Sequence, residues 1–416
     1  MRRFINAFTT PTAKSSALFY FGSFAISGGR YLFHLILLRL LLPSEYGEFL
    51  SYWSLLYLLT IPYSAISNII TKYVAEFSGK GNWRATNQLF YYLLEKFTPV
   101  TLILGILFVV FARPLATAFK AHPGAFIILG LSVFLSLIST LVRSYLAALQ
   151  RFVAQIFTGI FETAVMILLA VLFIIKGFAA TGAVAAQLLS GILATLITFY
   201  LIRGTFFPRD MGKRIKFDIN NYSGYSLIYA IGYLSLISTD VLLVRFFFSG
   251  FLSGIYSSLS ILGRMIFFGL GPFISLVLPI ASHRQAAAKK SRSVFLKLGA
   301  AMIVFGISAT GVFVFFPDIV IRLSSGANYL EGASYLPFVA VSMFLFSLNL
   351  FIISYFMAIG QPQAYYFLLA ASTGQPATGN HPAAFNAVNI PRNICLPICP
   401  VNVCPINVIM SFLSGE

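Results

Sequence analysis

Seven ionisable side chains stand inside apolar runs where lipid alone could not hold them: Arg30, His34, Glu95, Lys96, Glu162, Asp240 and Arg264. A charge near the bilayer centre costs about 2.5 to 3.5 kcal/mol on insertion scales, so such groups turn toward protein or water. Arg30 and His34 are one helical turn apart and share a face. The planar fork of arginine offers paired hydrogen bonds to an anion and keeps its charge when partly desolvated, which suits Arg30 and Arg264 to an acidic ligand. His34 can change protonation near neutral pH, and Asp240 or Glu162 could take up a proton or a sodium ion. Plainer readings stand beside these. Asp240 and Arg264 could neutralise one another between adjacent helices, Arg30 could hydrogen-bond across a helix interface, and His34 could simply pack. Glu95 and Lys96 read as a local pair with Lys96 snorkelling, and Arg143 and Arg245, close to helix ends, read as snorkelling too.

Soluble-enzyme constellations are missing from the sequence. No Gly-rich loop ending in Lys and Ser/Thr is present to cradle a nucleotide, no His and carboxylate set has metal-ligand spacing, and there is no nucleophile elbow. Cys395, Cys399 and Cys404 lack a fourth ligand even with His381 nearby. The expectation is a protein that is not an enzyme and carries no cofactor or metal.

The elements that must position the charged residues follow from composition. Of 416 residues 59% are apolar and 9% charged, with a mean hydropathy of +0.89, against about 25% charged in an ordinary soluble protein. Apolar runs of about 20 residues rise roughly 30 Å as helices, one bilayer core. Ten spans read near 17–41, 49–71, 87–112, 124–148, 156–176, 180–202, 223–247, 252–281, 298–317 and 333–359, and an eleventh starts at Ala364 and stops. They lack the alternation of a barrel, which leaves helices as the spanning solution. Arg2 and Arg3 precede no short apolar core with a cleavage site, so the first run is expected to remain as a span.

Lys and Arg number 28 and the net charge is +17. Counted on alternate sides of the spans, eighteen lie on the side of the N-terminus and six (Arg39, Arg113, Lys120, Lys176, Arg245, Arg322) on the other. The positive-inside rule then predicts a cytoplasmic N-terminus in a multi-pass cell-membrane protein. The basic residues serve as topology signals and anionic-lipid contacts rather than a nucleic-acid surface. The sequence divides into a six-helix lobe at 1–202, a basic cytoplasmic linker at 203–222, a second lobe at 223–371 and a tail at 372–416. Leu37-Leu38-Arg39, Glu45-Tyr46-Gly47, Pro62 and Lys72 find counterparts in Leu243-Val244-Arg245, Gly254-Ile255-Tyr256, Pro272 and His283-Arg284. Such copies would be parallel repeats, with a central cavity expected at their interface.

Four segments resemble one family. Arg39 through Pro43-Ser44-Glu45-Tyr46-Gly47-Glu48-Phe49, Ser238-Thr239-Asp240 through Gly254-Ile255-Tyr256 to His283-Arg284, Ser325-Gly326-Ala327-Asn328-Tyr329 through Gln361-Pro362, and Tyr145 through Gln150-Arg151-Phe152 are similar to the O-antigen flippase-like branch of the multidrug/oligosaccharidyl-lipid/polysaccharide exporters. The resemblance spans most of residues 1–371. It implies an all-α polytopic protein of two six-helix lobes, alternating access, and export of a polyprenyl diphosphate-linked oligosaccharide to the outer leaflet. On that reading Arg30 and Arg264 contact the diphosphate with His34 near them, and Asp240 or Glu162 couples to H+ or Na+. Rival readings are a cation-coupled multidrug exporter, whose cavity should be richer in acids, and a membrane-embedded polysaccharide polymerase or ligase, which would want a large outer loop.

The tail departs from the pattern. Its last 41 residues hold six prolines, six asparagines and all three cysteines. A disordered tail, a family-specific extension or a shifted reading frame would each produce this. The break falls inside a helix the family would complete, which favours the frameshift and a second lobe shortened to four or five helices.

Overall fold

The computed structural model describes residues 11–203, 238–286 and 292–358. The basic stretch 204–222, the residues 223–237, the start of the eleventh run and the tail 372–416 lie outside them. The chain forms two compact units, Met1–Ala230 and Ile231–Glu416.

Proline and side-chain caps mark the helix starts. In the first unit α1 runs Pro11–Leu40, α2 Pro43–Leu59, α3 Ile61–Gly79, α4 Trp83–Val110, α5 Ala112–Ala118, α6 Pro123–Ala148, α7 Phe152–Ile175 and α8 Ala179–Ile202. Pro43 opens α2, where a missing N–H is tolerated, and the Glu45 carboxylate folds back to accept the Leu42 amide at 2.9 Å. The Asn82 side chain accepts the Ala85 amide at 3.1 Å to start α4, a standard N-cap. His122 Nδ1 accepts the Gly124 amide at 3.1 Å ahead of α6.

The second unit begins, among the described residues, with α9 at 238–247. It continues with α10 Gly250–Ala286, α11 Arg292–Phe315, α12 Pro317–Ser324, a 3-10 segment Ala327–Tyr335 and α13 Leu336–Ala358. Gly326 has φ +96° between α12 and the 3-10 segment, a left-handed conformation that a glycine adopts without a Cβ clash.

Among the described residues seven helices are long and apolar enough to cross a membrane, and an eighth span arises if α2 and α3 are taken together. Lipid-facing residues such as Ile103, Leu168 and Leu196 are 58 to 60% exposed, which is tolerable only in hydrocarbon. The chain is therefore an all-α polytopic membrane protein. α1 is 30 residues long, enough to rise about 45 Å.

One expected span needs correction. The run at 49–71 is not one helix but the end of α2 and the start of α3, which meet at a 43° bend. Pro62, second in α3, cannot donate to the preceding turn, and Thr60 Oγ1 instead donates to the Tyr57 carbonyl at 2.8 Å. Pro272, its expected counterpart, sits inside the continuous α10. The turns after α4 and α11 also hold short helices, α5 and α12, that span lengths alone do not reveal.

Each unit has its own apolar core. In the first, Ile66, Ile70, Leu89, Leu93, Leu137 and Leu141 interlock α3, α4 and α6. In the second, Ile266, Leu270, Met302, Ala340 and Phe351 join α10, α11 and α13.

Candidate functional site

Glycine brings the first charged cluster together. A Cβ on Gly29 would stand 2.7 Å from Thr163 Cγ2, one on Gly22 2.5 Å from Ile156 Cγ1, and one on Gly159 2.5 Å from Ile26 Cδ1. The backbones of α1 and α7 thus approach through small residues, the packing mode of membrane helices without a hydrophobic driving force. Arg30, next to Gly29, is carried against α7, where its Nη2 lies 3.6 Å from Glu162 Oε2.

The same Glu162 oxygen accepts a hydrogen bond of 2.8 Å from Arg143 Nη2 on α6. One carboxylate therefore serves two guanidiniums and the trio keeps a net positive charge. Glu162 is ten residues into α7, about 15 Å along its axis. The Arg30 side chain is 46% exposed, Arg143 25% and Glu162 18%. Arg143 does not snorkel, contrary to the expectation from its place near a helix end; Glu162 holds it across the interface. Nothing in the sequence pairs these two residues, which lie on different helices with no shared period.

His34 faces another neighbour. Its Nδ1 is 3.1 Å from the Tyr46 hydroxyl, and its ring meets Trp53 edge-on at 5.1 Å and Phe49 at 5.9 Å. Residues four apart differ by about 40° round a helix. That offset separates Arg30, engaged with α7, from His34, engaged with α2.

In the second unit Asp240 and Arg264 form a buried ion pair, Oδ1 to Nη2 at 3.7 Å, with side chains 5% and 3% exposed. Asp240 Oδ2 accepts the Tyr256 hydroxyl at 3.0 Å and Ser260 Oγ at 3.4 Å. The neighbouring Arg245 is 2% exposed, so it too is buried rather than snorkelling. Lys96 turns to Tyr92, with Nζ 3.3 Å from the hydroxyl and 5.5 Å from the ring centre. Among the described residues no group of three or more His, Cys, Asp or Glu could hold a metal ion; the three cysteines lie outside them.

The structure thus joins Arg30 with Glu162 and Arg264 with Asp240, adds Arg143 to the first pair, and seats His34 among aromatic rings. The chemistry open to the first cluster is anion exchange. An acidic ligand can replace Glu162 as partner of the half-exposed Arg30 while Arg143 retains the carboxylate.

No protein-family model matches the chain, and no curated protein matches its sequence. Solved structures do resemble it. A multidrug resistance MATE family transporter of the MOP superfamily, in an inward-facing conformation, aligns with a TM-score of 0.69 over 92% of this chain and 93% of its own, at 13% identity. The lipid II flippase MurJ, in an inward closed conformation, aligns at 0.67 over 96% and 88%, at 14% identity. The MATE multidrug transporter DinF-BH aligns at 0.61 over 98% and 94%, at 16% identity. At such identities the likeness establishes the fold alone, one shared with the MATE structures and with MurJ.

Proposed function

We propose that this protein carries a polyprenyl diphosphate-linked oligosaccharide across the cell membrane, by alternately exposing a cationic site to its two faces, for cell-surface polysaccharide synthesis. The observation that carries the reading is the Arg30–Glu162–Arg143 trio, a surplus positive charge within spanning helices whose outer member is half exposed. A diphosphate needs such a partner to leave water. Arg30 is the exchangeable contact, because at 3.6 Å it lies beyond a good hydrogen bond to Glu162.

The cycle then trades partners. Cargo takes Arg30, Glu162 stays with Arg143, and release returns Arg30 to the carboxylate. Coupling to H+ or Na+ falls to Glu162 and Asp240, the carboxylates already seated among cations. Arg264, held by Asp240, becomes a diphosphate contact only when that pair opens, and His34 positions α1 beside α2.

The MATE likeness supports a second reading, export of organic cations. The carboxylates of Glu162 and Asp240 would have to attract such cargo, yet each already faces an arginine. A sidedness assay in reconstituted vesicles separates the two. Fluorescent lipid diphosphate sugars should be moved by the native chain and at least tenfold more slowly by Arg30→Gln. Transport of a cationic dye in place of the lipid would overturn the flippase reading, and full lipid transport by Arg30→Gln would remove Arg30 from the site.

A further inference from the structure

A groove of about 510 Å³ opens on the first unit where α6 turns into α7 and α8 ends. Its walls are Phe152, Val153, Ala154, Phe157 and Leu201, with Gln150 and Arg151 at the polar lip. Val153 is 68% and Phe157 57% exposed, an apolar floor on the outer face of spanning helices. None of its lining residues is acidic.

The lip is built rather than incidental. Gln150 holds φ +55° to turn the chain between α6 and α7, and Arg151 Nη1 donates to the Leu201 carbonyl at the end of α8, at 3.0 Å. That bond fixes the guanidinium over the groove and uses one of its five N–H donors. At the same end of α8 the Arg203 guanidinium lies 3.9 Å from the Tyr200 ring centre. Chain direction alternates from span to span, so this end also carries the turn with Lys80 and Arg84. It is the side on which the sequence concentrates basic residues, where anionic headgroups collect.

We infer that this groove is a binding site for an anionic glycerophospholipid of the bilayer, with the headgroup phosphate on Arg151 and an acyl chain along Val153, Phe157 and Leu201. A soluble phosphate would leave the apolar floor in contact with water. A zwitterionic lipid would offset the phosphate with its own cation. The anionic lipid satisfies both surfaces, and it does so outside the Arg30 cluster, so the site stands whether or not the transport reading does.

The test is a native mass-spectrometry titration of the full detergent-purified chain with phosphatidylglycerol and phosphatidylcholine of identical acyl chains. The native protein should retain phosphatidylglycerol preferentially. Arg151→Gln should weaken the first bound phosphatidylglycerol about fivefold, the effect of one basic side chain at a membrane surface, and leave phosphatidylcholine unchanged. Val153→Glu, at an exposed position, should reduce the same preference by placing a like charge in the groove. Glycerol phosphate in excess should not compete. Equal retention of both lipids by the native chain, an unaltered preference in both variants, or displacement by glycerol phosphate would each overturn the site.

Discussion

Two guanidiniums on one carboxylate are not equivalent. Arg143 makes the 2.8 Å hydrogen bond and is the less exposed, whereas Arg30 stands off at 3.6 Å. A hydrogen bond to a charged group contributes about 1.5 to 3 kcal/mol, and an exposed ion pair about 0 to 1. Arg143→Leu should therefore lower the apparent melting temperature in detergent clearly more than Arg30→Leu, while Arg30→Leu should lose lipid transport with a nearly native melt. Equal melting losses would place both arginines in a structural role. Only part of this is legible in the sequence. Arg30 and Glu162 stand out there because a charge inside an apolar run is costly. Arg143 sits five residues from the end of α6, where snorkelling is an adequate account, and only the packing of α6 on α7 reveals its partner. Arg245 misleads for the same reason: its position in the run resembles a helix end, but its side chain lies in the interior.

At the scale of elements, turn motifs and glycines do the positioning. The segment Pro43 through Phe49, which carries part of the family resemblance, works as a construction joint. Pro43 and Glu45 start α2, Tyr46 reaches His34, and the Glu48 carboxylate accepts the His122 amide at 2.8 Å and the Tyr52 hydroxyl at 2.9 Å. The motif is visible in the chain but these bonds are not, because Glu48 and His122 are 74 residues apart. Gly28 and Gly29 look alike in sequence as helix-bending residues, yet their surroundings differ. A Cβ on Gly28 meets nothing within 4 Å, while one on Gly29 meets the Thr163 methyl at 2.7 Å. Thr163 is β-branched, and its Oγ1 donates to the Gly159 carbonyl at 2.9 Å, so it yields poorly. Gly28→Ala should leave melting and transport unchanged. Gly29→Ala should cost about 1 to 3 kcal/mol and slow transport by pushing Arg30 from Glu162. The two melting curves in the same detergent check the contrast, and coincident curves would remove the close approach of α1 and α7 as the cause.

At the scale of the whole molecule, each of the two units carries the same kind of internal polar tie. His34 lies five residues before Arg39, and Asp240 five before Arg245. Each meets a tyrosine hydroxyl on the following helix, Tyr46 at 3.1 Å and Tyr256 at 3.0 Å. In the first unit the tie joins α1 to α2, and in the second it joins α9 to α10, where Ser260 and Arg264 also meet Asp240. The two ties differ in charge. The first tie joins neutral-capable groups inside a cage of rings; the second joins a carboxylate that also holds Arg264. Removing a donor from a buried carboxylate costs more than removing one from a neutral partner, about 1.5 to 3 against about 0.5 to 1.5 kcal/mol. Tyr256→Phe should therefore be the more damaging change, with hydrogen-exchange protection falling in α9 and α10. Tyr46→Phe should lower protection more mildly, in α1 and α2, where Trp53 and Phe49 continue to pack His34. Each loss should stay within its own unit, since each unit has its own core. Equal losses from the two variants, or loss spread over the whole chain by either one, would mean that the ties are incidental to units that stand or fall together.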